Sequence, residues 1–133
     1  MSSSLGPLYC LVAAAVLIYL PFMVVALARL QVGYDFSAPR AMLPKLPAYA
    51  QRAAWAHENS FESFTIFAAA VLMVFATGKS GELATGLSIA FLVCRVAYSI
   101  FYIANVPVFR SLSWGGGMLC IAGLMAIALN LWS

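Results

Sequence analysis

Three short stretches place reactive or charged groups where apolar helix would otherwise be expected. "WAHENSFE", residues 55–62, holds the chain's only histidine, His57, together with Asn59, Glu58 and Glu62. "RVAYSIFYIAN", residues 95–105, spaces Arg95, Tyr98, Tyr102 and Asn105 by threes and fours. Arg110-Ser111 follows at the start of the next apolar run. A helix N-terminus already offers unpaired N–H groups and a positive dipole end. A guanidinium and a hydroxyl added there make a site for an anion or a thiolate. Arg110 also reads as a topogenic charge at a membrane surface, and on the residues alone both readings stand.

The elements that must position these groups are membrane helices. The chain has 133 residues, of which 65% are hydrophobic and 8% charged, with a mean hydropathy of +0.99. Soluble domains are roughly half apolar, so the bilayer is the solvent this composition fits. Four apolar segments are expected to span it, at about residues 7–30, 48–77, 82–105 and 109–132, within one domain covering 1–133. Each has the roughly 20 residues a bilayer requires. Pro21 is expected to kink the first, because it removes a backbone donor and crowds the preceding turn. Ala26-Leu27-Ala28 imitates a signal-peptide cleavage site, but no basic residue precedes the run and the run is long, so a retained helix is expected.

Charge sets orientation and excludes some functions. Seven Lys and Arg face four Asp and Glu. The basic residues form no stripe, which argues against nucleic acid. Arg29, Arg40, Lys45 and Arg52 surround the first loop and Arg110 lies at the third. By the positive-inside rule both loops are expected in the cytoplasm and both termini outside. Cys10, Cys94 and Cys120 sit in apolar runs without metal-ligand spacing and read as small buried hydrophobes. No second histidine or carboxylate set accompanies His57, so no metal site is expected. A histidine at a helix rim reads more readily as a structural hydrogen-bonding residue than as a catalyst.

Helical geometry sorts the polar groups. At 100° per residue, Arg95, Tyr98, Tyr102 and Asn105 fall within about 80° of one another, as do Arg52, Trp55, Asn59 and Glu62. His57 and Glu58 point elsewhere. Arg95 lies ten residues before Asn105, near the middle of the bilayer, where an arginine costs about 2.5–3.5 kcal/mol to insert. It must have a partner within the protein, and Glu62 is the expected counter-ion. The polar face of the third span is either a network joining helices or the wall of a ligand groove. "WGGG", residues 114–117, is no phosphate loop, since it lacks a preceding strand. Gly116 and Gly123, with Ala122 and Ala126, suggest close helix packing, and Trp114 and Trp132 suggest interfacial anchors.

"RAAWAHENSFESFTIFAAAVL" followed by "RVAYSIFYIANVPVFRSLSW" resembles the MAPEG family, the membrane-associated proteins in eicosanoid and glutathione metabolism. The resemblance covers essentially all four spans. It implies an all-α four-helix membrane bundle assembled as a homotrimer, with glutathione as cosubstrate bound between subunits near the cytoplasmic side. By the same resemblance, Arg110 stabilises the glutathione thiolate with Ser111 beside it. Asn59, Glu62, Arg95, Tyr98 and Tyr102 then bind the peptide, and Arg29 matches a basic residue at the end of the first helix. Family enzymes often carry arginine at the position of Trp55, and one branch carries it at that of Glu58. Arg52, one turn before Trp55, is the residue that could compensate. The minimal chain has the look of a bacterial-type member in an inner or other intracellular membrane.

The expected function is therefore a glutathione-dependent transferase or peroxidase acting on lipophilic electrophiles that arrive through the lipid. The alternative is a non-enzymatic lipid-binding or structural subunit of a larger membrane complex. Trp55 and Glu58 favour the alternative, and Arg110-Ser111 favours the enzyme. A channel or transporter lacks the inverted repeat and the broken helix pair such folds use.

Overall fold

In the computed structural model, residues 5–132 are described, and among them the regular elements are all helical. Helix α1 covers Gly6–Ile18 and α2 covers Leu20–Val32, together forming the first span. A 3-10 segment, Pro39–Lys45, lies in the first loop. Helices α3 (Ala48–Ala76), α4 (Glu82–Ile103) and α5 (Pro107–Ala128) form the other three spans. Each span has the length and apolar content to cross a bilayer. At 29 residues, α3 is about 43 Å long and outruns a 30 Å hydrocarbon layer. Its polar first third extends it at the first-loop end.

Pro21 breaks the first span two residues upstream of itself. Proline has no N–H to give to the Leu17 carbonyl. Tyr19 drops out of the helix between Ile18 and Leu20, and its N–H turns to the Val16 carbonyl at 3.1 Å. The Ile18 carbonyl receives the His57 Nδ1–H across the bundle, at 2.7 Å. A carbonyl only accepts, so this contact fixes the Nδ1-protonated tautomer. Tyr19, Phe22 and Phe61 surround the imidazole with ring centroids 5.5, 5.1 and 5.2 Å away. His57 thus latches the kink, the structural hydrogen-bonding role expected of it. As a result α1 leans on both α3 and α4, while α2 packs chiefly on α3.

Three helices end in the same way. Gly78, Asn105 and Asn130 take positive φ values of 71°, 63° and 62°. In each case the next residue's N–H returns to a carbonyl five residues back: Lys79 to Val74, Val106 to Phe101 and Leu131 to Ala126, all at 2.8 Å. This is the Schellman arrangement, which satisfies carbonyls that a helix C-terminus otherwise leaves without donors. It also accounts for two boundary differences. The third span stops at Ile103 rather than Asn105, and the fourth stops at Ala128 rather than Trp132. The fourth starts at Pro107 because proline's fixed φ suits a first helical turn.

The core lies toward the second-loop end. Phe67 of α3 stacks on Phe91 of α4 with centroids 4.0 Å apart and planes within 8°. Val71, Val74, Ile121 and Leu124 close around them. A smaller cluster at the opposite end joins Val25 and Ala28 of α2 to Leu46, Ala50 and Ala53. Helices α4 and α5 pack most extensively, because α5 turns glycines toward α4. A Cβ on Gly117 would sit 3.6 Å from the Phe91 ring, and one on Gly116 only 3.0 Å from Cys94 Sγ. Ala122 faces outward, so the packing face is narrower than the small-residue spacing suggests. Gly117→Ala is expected to be nearly neutral, since 3.6 Å is ordinary contact. Gly117→Leu should cost about 1–3 kcal/mol through overpacking, read as a lower Tm in detergent.

Candidate functional site

The polar faces of α3 and α4 meet where the sequence placed them, but their pairing differs in detail. Arg95 is 5% exposed. Its Nη2 donates to Asn59 Oδ1 at 2.9 Å and to Ser60 Oγ at 3.4 Å. Its guanidinium lies 4.2 Å from the Tyr98 ring centroid, a cation–π contact that desolvation strengthens. Glu62 does not bond Arg95; its Oε1 accepts from Asn59 Nδ2 at 3.3 Å. Asn59 therefore stands between cation and carboxylate, its oxygen toward Arg95 and its amine toward Glu62. Ser63 Oγ adds a second donor to the same Asn59 oxygen, at 3.3 Å. The expected Arg95–Glu62 ion pair is replaced by this relay. The reason is reach: Asn59 lies about one turn from Glu62 on the same face, and the guanidinium meets it first.

From Arg95 the ladder continues down α4. Tyr98 and Tyr102 meet edge to face, centroids 5.6 Å apart. The Arg110 guanidinium sits over Tyr102 at 4.8 Å, and Trp55 flanks Tyr102 at 6.5 Å. The Schellman turn at Asn105 and the immediate restart at Pro107 bring the first turn of α5 back beside the end of α4. That reversal carries Arg110 to Tyr102 across eight positions of chain.

A cleft of about 300 Å³ opens between these helices, lined by Asn59, Tyr98, Tyr102, Arg110, Ser111 and Trp114. Three helices thus contribute to one concavity, Asn59 coming from far back in the chain and the rest from either side of the α4–α5 turn. Its volume is at the lower end for small-molecule sites. Trp114 was read from sequence as an interfacial anchor. Its place one turn beyond Arg110 on α5 was the signal that it shares the cleft.

Other candidates lie elsewhere. Arg52 donates Nε and Nη2 to the Ile103 carbonyl at 3.1 and 2.9 Å. It caps α4 and ties α3 to the α4–α5 turn. Arg29 donates Nη1 to the Tyr34 hydroxyl at 3.3 Å and lies 5.6 Å from the Phe22 ring. It is not in the cleft. Glu62 is exposed and reaches the cleft only through Asn59. Glu58 and Trp55 are exposed on the same helix.

The molecule is thus a four-span helical membrane protein with an arginine- and tyrosine-lined cleft where α3 and α4 meet the start of α5. A family model described as "MAPEG family" matches residues 6–130, and the chain belongs to that family. No match is found among the curated proteins or among the solved structures.

Proposed function

We propose that this chain is a membrane-bound, glutathione-dependent transferase or peroxidase acting on lipophilic electrophiles as a homotrimer. Membership of the family supports glutathione-related chemistry in general. The observation that carries the specific reading is the cleft itself, which brings Arg110 and Ser111 together with Asn59, Tyr98 and Tyr102. A free thiol has a pKa of about 8.5, so little is ionised at neutral pH. A guanidinium, a hydroxyl and the free N–H groups at the start of α5 stabilise the anion and raise that fraction. In the transferase reaction the thiolate attacks the electrophilic carbon, and the S–C bond forms as the bond to the leaving group breaks and that group departs with the electron pair. In the peroxidase reaction it attacks a peroxide oxygen, the O–O bond breaks to release the alcohol, and a second glutathione displaces water to give the disulfide. The tyrosine hydroxyls and the Asn59 side chain offer hydrogen bonds to the tripeptide. A cleft open on one side leaves room for a neighbouring subunit to complete it, and Arg29 is then the donor offered by that neighbour. The excess of basic residues around loops one and three supports a cytoplasmic location for them, and with them for the cleft.

The test is calorimetry of the detergent-solubilised protein with glutathione. Heat of binding and a thermal shift at millimolar ligand are expected. A silent titration would favour the second reading, a non-enzymatic lipid-binding or structural subunit. One observation favours that reading. Arg52, the residue that could replace the cation missing at Trp55, is committed to the Ile103 carbonyl.

A further inference from the structure

Arg95 has a second terminal nitrogen that the relay leaves unused. Nη1 is fully buried and has no hydrogen-bond partner among the described residues. A buried donor left unbonded costs about 1–3 kcal/mol, and more when it carries charge. Such groups in native proteins are nearly always paired with protein or with ordered water. The same guanidinium borders a small, partly open pocket, distinct from the cleft, lined by Ala14, Leu17, Ile18, Ser60, Phe64, Phe91 and Arg95.

Two features of that cavity point to its occupant. Its volume is about 10 Å³, close to the space one water molecule needs. Its wall is the break in the first span. Pro21 supplies no N–H to the Leu17 carbonyl. The neighbouring carbonyls have found replacements, Val16 from the Tyr19 N–H and Ile18 from His57. Leu17 has lost its helical donor in the same place and shares only the Tyr19 N–H with Val16, which leaves its carbonyl a lone pair to accept. Ser60, whose hydroxyl already donates to the Ala56 carbonyl at 2.8 Å, keeps lone pairs to accept. A site for water requires two to four polar partners, and a cationic N–H, a peptide carbonyl and a hydroxyl oxygen provide three.

We propose that a single buried water molecule occupies this cavity, accepting from Arg95 Nη1 and donating to the Leu17 carbonyl and to Ser60 Oγ. Pro21 is then a positioning residue. By withholding an N–H it leaves the Leu17 carbonyl able to accept from the water that bonds Arg95 Nη1. The Nη2 of the same guanidinium bonds Asn59 and its plane lies against Tyr98, and both of these line the cleft. The kink of the first span and the geometry of the cleft are joined through one solvent molecule. This inference does not depend on glutathione or on any reaction.

The deciding experiment is a structure of the assembled protein in nanodiscs, at a resolution that shows ordered waters, paired with proton NMR of arginine-labelled protein. The expected results are a discrete water peak bonded to Arg95 Nη1 and a cross-peak between Arg95 Nη1–H and water. Pro21→Ala restores an N–H to the Leu17 carbonyl, so the water peak and the cross-peak should be lost and the Asn59 side-chain amide signals should shift. Ser60→Ala keeps the backbone unchanged and should weaken the cross-peak at least severalfold, which covers the case in which Pro21→Ala fails to fold. An empty cavity in the unmodified protein, or a cross-peak that neither substitution changes, would overturn the proposal.

Discussion

Arg110→Ala should lower glutathione conjugation by about 100-fold or more while leaving assembly and Tm nearly unchanged. Removing one preorganised donor from a developing anion costs about 10²–10³ in turnover. Arg110 matches that description better than any other cation in the molecule. Its charge lies at the start of α5, within the cleft, over the face of Tyr102. Among the described residues no side chain takes a hydrogen bond from it, so the fold loses little when it goes. Arg110→Lys keeps the charge but not the planar fork, and should recover part of the rate. The check is a steady-state assay with a chromogenic electrophile, with size-exclusion chromatography run alongside. Equal turnover in Arg110→Ala and the parent would remove the thiolate mechanism. Loss of the assembly would instead show Arg110 to be structural.

The largest effect on stability is expected at Asn59 rather than at either charged residue beside it. Asn59→Leu takes away the 2.9 Å acceptor of Arg95 and leaves a buried guanidinium with the longer Ser60 hydrogen bond and the Tyr98 ring as its protein contacts. Breaking a buried charge from its partner costs about 3–5 kcal/mol. Arg95→Met should cost less, because it removes the charge together with its desolvation penalty. Asn59→Leu combined with Arg95→Met should recover much of the loss of Asn59→Leu alone, a coupling that a double-mutant cycle measures directly. Glu62→Gln is expected to change Tm little, since a glutamine oxygen still accepts from Asn59 Nδ2 and no cation is abandoned. The measurement is thermal unfolding in a single detergent. A Glu62→Gln loss equal to that of Asn59→Leu would restore the direct ion pair and displace the relay.

Much of the fold was legible because a bilayer imposes so few solutions. Four apolar runs of the right length, separated by polar turns, read as four spans, and the structure has those spans. Their ends were less legible. Asn105 and Asn130 were counted within helices because composition does not reveal a left-handed φ, and only the returning N–H bonds define it. The grouping of Arg95, Tyr98 and Tyr102 was legible because helices are regular and 100° per residue carries over two turns without much error. The choice of Asn59 over Glu62 was not, because the angle assigns a face while depth along the helix decides contact. Trp114 was hidden by its type, since tryptophan suits both a membrane interface and a site wall. The roles of His57 and Arg52 depend on carbonyls, at Ile18 and Ile103, that a list of side chains does not display. The commitment of Arg52 to one of them weakens the compensation that the sequence suggested for Trp55.

The bond between Arg95 and Asn59 also bears on how the chain reaches the membrane. Synthesis proceeds from the N-terminus, so α3 is complete before α4 leaves the ribosome. Asn59 and Ser60 are therefore available in the bilayer when Arg95 must enter it. An arginine inserted alone faces a cost of about 2.5–3.5 kcal/mol, and here a carbonyl oxygen on an earlier helix is ready to meet it. Tyr98 travels on the same helix and supplies a second shield at once. The order of helices along the chain thus lowers the cost of delivering the most lipid-averse residue of the third span, and an inverted order would present that arginine to lipid before its acceptor existed.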